Sequence, residues 1–252
     1  MIITLRRSTI FKGLIIILII IVAIVFFQED VLTASNARRR LPIYSVQTDE
    51  KKIAISFDAA WGADSTSEIM DILDQYHVKT TFFLVGFWLD KYPDKAKEIH
   101  ERGHEIGNHS TTHPHMTQLS KAQIAAELNK TGNKIRAITD KQPDLFRPPF
   151  GDYNNCLIET AEENGYYTIQ WDVDSLDWKQ IGSIQIVDRV VRNVKNGSIV
   201  LFHNNSEYVL DYLPQILNKL KSEGFEIIPV GELIIRDDFY MDHTGRQCRS
   251  NK

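Results

Sequence analysis

Two kinds of side chain in this sequence could share one reaction: histidines spaced to bind a metal ion, and groups that accept or donate protons. His109 and His113 lie four residues apart in GNHSTTHPH, a spacing at which two imidazoles can bind the same ion. Asp58 ends the run IAISFD, and His203 directly follows the apolar run IVLF. A divalent ion lowers the pKa of bound water to about 7, a carboxylate accepts the proton of that water, and a histidine protonates the leaving group. The pattern therefore indicates metal-assisted hydrolysis.

Each of these features also has an ordinary structural explanation. His100 and His104 have the same four-residue spacing, but they straddle Gly103 between a helix and a strand, and we interpret them as structural. An aspartate such as Asp58 at the end of a strand often forms a cap or a turn, and Arg147, in FRPPFG, could simply pair with a carboxylate. The functional interpretation rests on these residues taken together, because Asp58, the pair His109 and His113, Arg147 and His203 each follow a predicted strand.

Alternating strands and helices must position these residues. Seven apolar or β-branched runs predict strands, at residues 53–57, 80–85, 104–107, 145–147, 166–172, 198–202 and 226–230. Helical periodicity lies between most of them, at residues 66–76, 93–102, 120–139, 184–194 and 207–223. This alternation predicts parallel strands joined by right-handed crossovers, either in a barrel or in an open doubly wound sheet. Both architectures place their chemistry at the carboxyl ends of the strands, where the motifs lie.

The motifs, taken in order, resemble those of the polysaccharide deacetylase (NodB-homology) superfamily over about residues 51–235. The segments SFDAAWG, FLVGFW and GHEIGNHSTTHPHM most resemble its PdaB-type sporulation branch. The resemblance implies an α/β fold, a deformed (β/α) barrel with about seven parallel strands. It implies an enzyme that removes N-acetyl groups from cell-wall or spore peptidoglycan, with an N-acetylated glycan as substrate and a divalent metal, zinc or cobalt, as cofactor.

The resemblance also implies a role for each residue of the motifs. Asp58 matches the general base, and Arg147 matches the residue that orients it. His203 matches the general acid, and Asp177 matches the residue that orients it. A backbone N–H near Phe150 matches an oxyanion donor. The full set comprises the catalytic residues Asp58, Arg147, Asp177 and His203, the metal ligands His109 and His113, and the substrate-binding residues Trp61, Phe150, Tyr153 and Trp178.

The sequence departs from the family pattern at Ala59. The family usually has a second aspartate there, which is the third metal ligand, and a methyl group cannot bind an ion. Three outcomes stay open: the two histidines hold a weaker, more hydrated ion; Asp64 reaches in as a third ligand; or the chain has lost catalysis and binds glycan as a structural homologue. A lost ligand should weaken the site considerably, because even the residues behind the ligands contribute about 10–100-fold to affinity.

The charge distribution argues against nucleic acid as a partner. The first fifty residues carry six basic and four acidic side chains, which leaves 23 of the chain's 29 Lys and Arg and 29 of its 33 Asp and Glu in the remainder. Such an acidic body lacks the cations that neutralise phosphates. Two cysteines, Cys156 and Cys248, are too few for a disulfide framework and could form one bridge or stay separate. The oligomeric state stays open.

An apolar segment near the N-terminus predicts a membrane anchor. Residues 13–27 carry no charge, and together with residues 10–12 they would form about 27 Å of helix. Arg6 and Arg7 precede the segment, whereas Glu29 and Asp30 follow it, so we expect a cytoplasmic N-terminus and an external catalytic domain. A cleaved signal, which would give a secreted protein, is the alternative. The predicted organisation is an anchor at 1–30, a linker at 31–50, a deacetylase domain at 51–235 and a polar C-terminal tail at 236–252.

Overall fold

The computed structural model describes residues 39–250, together with Ile16 and Ile17. Apart from those two residues, the predicted membrane anchor lies outside the described part of the chain. None of the described residues belongs to a helix with the length and apolar character that crossing a membrane requires. The chain from Arg40 onwards forms one compact unit, which contains every predicted site residue.

Short parallel strands form the centre of this unit. In chain order, the strands of the described residues are β1 Ser45–Val46, β2 Lys52–Ala59, β3 Thr81–Leu84, β4 Glu105–Asn108, β5 Leu145–Phe146, β6 Tyr167–Thr168, β7 Val173–Asp174, β8 Ile199–His203, β9 Glu226–Ile228, β10 Phe239–Met241 and β11 Arg246–Arg249. Seven lie side by side in the order β6-β5-β4-β3-β2-β8-β7, and β9 pairs with the start of β2. The predicted α/β fold is confirmed, as a deformed half-barrel of seven parallel strands.

The barrel is open between β6 and β7, and residues from the predicted linker lie in this gap. The Ile43 N–H donates to Thr168 O, and the Ile43 carbonyl accepts from Gln170 N. Val46 N–H donates to Gly197 O, just before β8. The sequence predicts one strand over residues 166–172. In the structure, β6 occupies only Tyr167–Thr168 of this run, and β7 begins at Val173, on the other side of the gap. Apolar patterning could not reveal this division, because a buried strand stays apolar whichever neighbour it pairs with.

The C-terminal segment, predicted to be a polar tail, contains two strands. β10 and β11 are antiparallel, and β11 also pairs with β1 in parallel. Gln247 of β11 is fully buried, and its side chain accepts from Ile235 N and donates to Ile235 O, at 2.7 and 2.6 Å. Hydropathy gives little sign of these strands, because the apolar run of β10 is only three residues long and β11 is held in part by a buried amide. Cys248 of β11 and Cys156 are both free thiols, so they do not form a bridge.

Helices cover the strands. In chain order, the α-helices of the described residues from Arg40 onwards are α1 Thr66–Gln75, α2 Gly86–Lys91, α3 Pro93–Glu101, α4 Lys121–Thr139, α5 Asn155–Glu163, α6 Ser183–Asn193, α7 Val209–Ser222 and α8 Val230–Leu233. The five helices predicted from periodicity are all present. Of these, α4 starts with a capping box between Ser120 and Gln123. α2, α5 and α8 are not predicted; α2 and α8 are too short for periodicity to reveal them.

A stack of buried aromatic rings fixes the two strands that carry the acid–base residues. Phe57 of β2 stacks on Phe202 of β8 with ring centroids 5.6 Å apart, and Phe202 stacks on Tyr212 of α7 at 5.4 Å. Such pairs contribute about 0.5–1.5 kcal/mol each beyond the area that they bury. Phe57 directly precedes Asp58, and Phe202 directly precedes His203, so the packing of these two rings fixes where both polar side chains emerge.

Candidate active site

The carboxyl ends of neighbouring strands carry the predicted catalytic and metal-binding side chains. Asp58 of β2 and His203 of β8 are partners in the register of two adjacent strands. His109 directly follows β4, and Arg147 directly follows β5. Since parallel strands lie about 4.8 Å apart, this order brings the four side chains to one end of the sheet.

A buried ion pair holds the carboxylate of Asp58. Arg147 Nη1 donates to Asp58 Oδ1 at 2.8 Å, and Arg147 Nη2 donates to Gln170 O at 3.2 Å. The Arg147 side chain is fully buried, and its guanidinium lies over the rings of Phe83 and Trp171, at 4.1 and 5.6 Å. Burial alone would raise the pKa of Asp58, but the nearby charges of Arg147 and His203 outweigh it and lower that pKa. Asp58 is therefore ionised at neutral pH and can accept a proton.

A backbone carbonyl fixes the tautomer of His109. Since a carbonyl oxygen only accepts, His109 Nδ1 donates to Arg147 O, at 2.7 Å, and Nε2 carries the free lone pair. Burial lowers the pKa of His109, which keeps the ring neutral. His109 Nε2 lies 3.5 Å from Asp58 Oδ2. Metal-binding histidines have this arrangement, with one ring nitrogen held by a carbonyl and the other free.

His113 provides the second imidazole. Its ring centroid lies 5.0 Å from that of His109, and its Nδ1 is buried with no hydrogen-bond partner among the described residues. Burial, and then the nearby His109, lower the pKa of His113 to about 4, so this ring is also neutral. Glu127 of α4, which carries no signal in the sequence, holds the intervening loop: its carboxylate accepts from the N–H groups of Thr111 and Thr112, at 2.8 Å each.

The two histidines fit a divalent ion, but the described residues supply no third ligand. Neutral imidazoles with a free lone pair are the form that binds such an ion. Ala59 is fully buried in the hydrophobic core, and Asp64 is exposed and does not line the cavity of the site. Within residues 39–250, no three His, Cys, Asp or Glu side chains are grouped so as to hold an ion. An ion at this place would be held by His109 and His113.

A buried carboxylate holds His203 on the other side of the site. His203 Nδ1 donates to Asp177 Oδ1 at 2.7 Å, and the His203 backbone N–H donates to Asp177 Oδ2 at 2.8 Å. Asp177 is fully buried, whereas a quarter of the His203 side chain is exposed. Burial alone would lower the pKa of His203, but the hydrogen bond and charge of Asp177 outweigh it and raise that pKa. His203 Nε2 is left to donate a proton.

One cavity of about 600 Å³ brings these residues together. Five of the six predicted catalytic and metal-binding residues line it, and Arg147 lies behind Asp58. Asp174 also lines the cavity, whereas the nearby Asp172 does not: it accepts from Ile199 N, at 2.9 Å, at the opposite end of β8. Alternation along a strand could not separate these two aspartates, since they lie two residues apart.

Exposed aromatic rings surround the mouth of the cavity. Trp61, Phe150 and Trp178 line it, with 57%, 57% and 55% of their surface exposed. Large apolar side chains left this exposed around a polar cavity are typical of a ligand-binding site. Tyr153 does not line the cavity; its hydroxyl lies 3.3 Å from that of Tyr44. Three of the four predicted substrate-binding residues therefore lie at the cavity, and Tyr153 does not.

Comparison with known proteins identifies the family. Residues 45–169 match the family model described as polysaccharide deacetylase. The chain is 37% identical, over 196 residues, to a peptidoglycan-N-acetylglucosamine deacetylase of Bacillus cereus, and the match covers 76% of this chain and 92% of that relative. This chain belongs to the polysaccharide deacetylase family. Membership confirms the predicted resemblance to this superfamily, whereas the PdaB-type branch stays a prediction. It supports a hydrolase that acts on N-acetyl groups with a divalent metal.

Two further similarities concern proteins with other descriptions. The uncharacterized protein YlxY of Bacillus subtilis is 33% identical over 193 residues, and the match covers 77% of this chain but 60% of YlxY. A solved structure of a BA3943 mutant, described as a CE4 family pseudoenzyme with restored enzymatic activity, superimposes with a TM-score of 0.74 at 36% identity, covering 76% of this chain and 70% of that one. BA3943 comes from Bacillus anthracis.

Proposed function

We propose that this deacetylase-family chain hydrolyses the acetamide groups of peptidoglycan-type glycan, releasing acetate and leaving an amino sugar. One observation carries the proposal: an ionised Asp58, a protonatable His203 and two neutral histidines line the same cavity. The peptidoglycan-N-acetylglucosamine deacetylase of Bacillus cereus supports the choice of substrate. A PdaB-type role in sporulation is the finer part of the proposal, and it rests on the SFDAAWG, FLVGFW and GHEIGNHSTTHPHM motifs.

The side chains of the cavity divide the proton transfers between them. Asp58, held by Arg147, accepts the proton of the attacking water. His203, held by Asp177, donates its Nε2 proton to the departing amine, and a backbone N–H near Phe150 stabilises the developing oxyanion. A divalent ion, zinc or cobalt, would be held by His109 and His113 and would polarise the carbonyl and acidify water when bound.

A glycan-binding homologue with impaired catalysis is the second candidate. Ala59 favours it, because a fully buried methyl group stands where the family usually has its third metal ligand. The structural similarity to BA3943, which is described as a pseudoenzyme, favours it as well. The exposed rings of Trp61, Phe150 and Trp178 would bind sugar in either case.

The proposed location is the outer face of the cytoplasmic membrane. The uncharged segment at 13–27 is long enough, with its flanking residues, to span the hydrocarbon layer. The basic residues before it and the acidic residues after it favour a cytoplasmic N-terminus and a retained anchor. This location would place the cavity next to the cell-wall glycan.

Acetate release separates the two candidates. We expect the full-length chain to release acetate from N-acetylated peptidoglycan or short chitin oligomers when zinc or cobalt is added, and much less after chelation. If the wild-type chain releases none with either metal while Ala59→Asp does, the chain is a glycan-binding homologue. Release that is unaffected by chelation would contradict the role of the two histidines.

A further inference from the structure

Tyr212 is a buried polar residue behind the cavity that the proposed mechanism does not use. It lies on α7, is fully buried, and stacks on Phe202. Its hydroxyl donates to Asp177 Oδ2 at 2.8 Å. Burial and the charge of Asp177 raise the pKa of Tyr212 well above its ordinary value, so the hydroxyl keeps its proton and acts as a donor.

Among the described residues, three hydrogen bonds converge on the Asp177 carboxylate, and one of them comes from outside the Asp177–His203 pair. The two from His203 use its backbone N–H and its Nδ1, and the third comes from Tyr212. A carboxylate held by His203 alone could rotate together with that residue. The phenol ties it to α7, a helix whose inner face is buried in the core. Tyr212 therefore couples the orientation of the catalytic histidine to the packing of the barrel.

We propose that Tyr212 is a positioning residue for proton donation: its hydroxyl fixes the Asp177 carboxylate and shares its negative charge, which makes His203 a stronger acid. The inference rests on the proposed role of His203 as the proton donor. A hydrogen bond to a carboxylate stabilises its charge and so weakens its attraction for an adjacent imidazolium. A histidine that releases its proton more readily is a better general acid near neutral pH.

The other charged groups around His203 are unchanged when only the phenol hydroxyl is removed. The carboxylates that favour its protonated form are those of Asp177, Asp58 and Asp174, and its positive charge in turn lowers the pKa of the His109 and His113 rings. The charge of Arg147 is paired with that of Asp58. Tyr212→Phe keeps the ring that stacks on Phe202, so any change in His203 reports the hydroxyl.

The experiment compares Tyr212→Phe with Tyr167→Phe in the full-length chain. Tyr167→Phe is the matched control, because its hydroxyl donates to Arg236 O at 2.9 Å, away from the cavity. The His203 ring is titrated by NMR, and acetate release is measured as kcat and KM. In Tyr212→Phe we expect the His203 pKa to rise by about 0.5–1 unit and kcat to fall about three- to tenfold. KM should not change, because Tyr212 does not line the cavity.

Unchanged His203 titration and unchanged kcat in a folded Tyr212→Phe chain would overturn the proposal and leave Tyr212 a packing residue. A second measurement needs no variant: the Tyr212 hydroxyl proton of the wild-type chain should resist exchange and shift with the His203 titration midpoint. Rapid exchange, or a shift independent of His203, would also overturn it. If the wild-type chain releases no acetate, the catalytic proposal fails, whereas the His203 titration still decides the role of Tyr212.

Discussion

The two sides of the cavity differ in what holds their polar atoms. On the acid–base side, Asp177 accepts three hydrogen bonds, and Arg147 holds Asp58. On the metal-binding side, His113 Nδ1 has no partner among the described residues, and Ala59 contributes only a methyl group. The proton-transfer groups are thus positioned by the fold itself. His109 and His113 are positioned by the loop that Glu127 holds, but a bound ion would have to supply the partner that their free ring nitrogens lack.

The same difference between the two sides is visible in the pKa values of their histidines. Asp177 raises the pKa of His203, whereas burial lowers the pKa of His109 and His113. One cavity therefore holds a histidine prepared to carry a proton and two prepared to donate lone pairs to an ion. This contrast is what a hydrolase with separate acid and metal-binding functions requires.

The largest effect should come from removing the base on the acid–base side. Asp58→Asn keeps an oxygen that can accept from Arg147 but cannot take a proton from water, so kcat for acetate release should fall about 10²–10⁴-fold. Asp94→Asn, at an exposed position in the first turn of α3, is the control and should keep the wild-type rate. Circular dichroism should show both variants folded. A folded Asp58→Asn chain with full activity would remove Asp58 from its role.

On the metal-binding side, Ala59→Asp restores the carboxylate that the family usually has. Zinc binding, measured by calorimetric titration, should tighten by at least about tenfold, because a third charged ligand joins the two imidazoles. Ala63→Asp is the control: it adds the same carboxylate at another buried position that is not adjacent to Asp58 in the sequence, so it should bring no gain. Equal affinity in Ala59→Asp and the wild-type chain would mean that position 59 cannot reach the ion.

Titration of the metal-free chain tests the contrast between histidines directly. We expect His203 to titrate above its ordinary pKa of 6.5 and His113 at about 4, measured by NMR. The two pKa shifts change the free energy of unfolding in opposite directions as the pH rises. The contribution from His203 is complete below pH 6.5 and is lost as the pH rises through its folded pKa, whereas His113 destabilises the fold as the pH falls from 6.5 towards 4. Similar midpoints for both rings would contradict the division of the site.

The smallest effect should come from the mouth of the cavity. Trp61→Ala removes an indole that is 57% exposed, and the loss of about 1 kcal/mol of sugar contact corresponds to about a fivefold rise in KM. The value of kcat should change little, because the ring carries no proton-transfer group. Ile184→Ala, at a 79% exposed position outside the cavity, is the control. A loss of kcat without a change in KM would mean that Trp61 supports the neighbouring His113 instead of the substrate.

The sequence predicts the parts of this molecule that rest on local pattern. The strand runs place Asp58 and His203 at strand ends, and periodicity finds helices such as α4, which begins at the Ser120 cap. Parts of the fold that depend on hydrogen bonds between residues far apart in the sequence leave no local pattern in it. Ile43 fills the gap beside β6, and Gln247 holds the C-terminal strands through its side-chain amide. Neither role can be read from the identity of these residues or their neighbours.

The candidate site shows the same limit. Motif order brings together the catalytic and metal-binding residues, but it does not distinguish Trp61, which lines the cavity, from Tyr153, which does not. Glu127 and Tyr212 act through helices on which they look like ordinary surface and core residues. Their functions depend on which loop or carboxylate the packed helix brings within reach, and this is decided by the tertiary fold.

The most direct test of the central claim is acetate release by the wild-type chain and by His203→Ala, both with saturating zinc and the same N-acetylated glycan. If the fold has already positioned the acid–base side, the wild-type chain releases acetate, and the folded variant loses about 10²-fold or more of that rate. Equal rates in the two chains would show that His203, although held by Asp177, is not the proton donor.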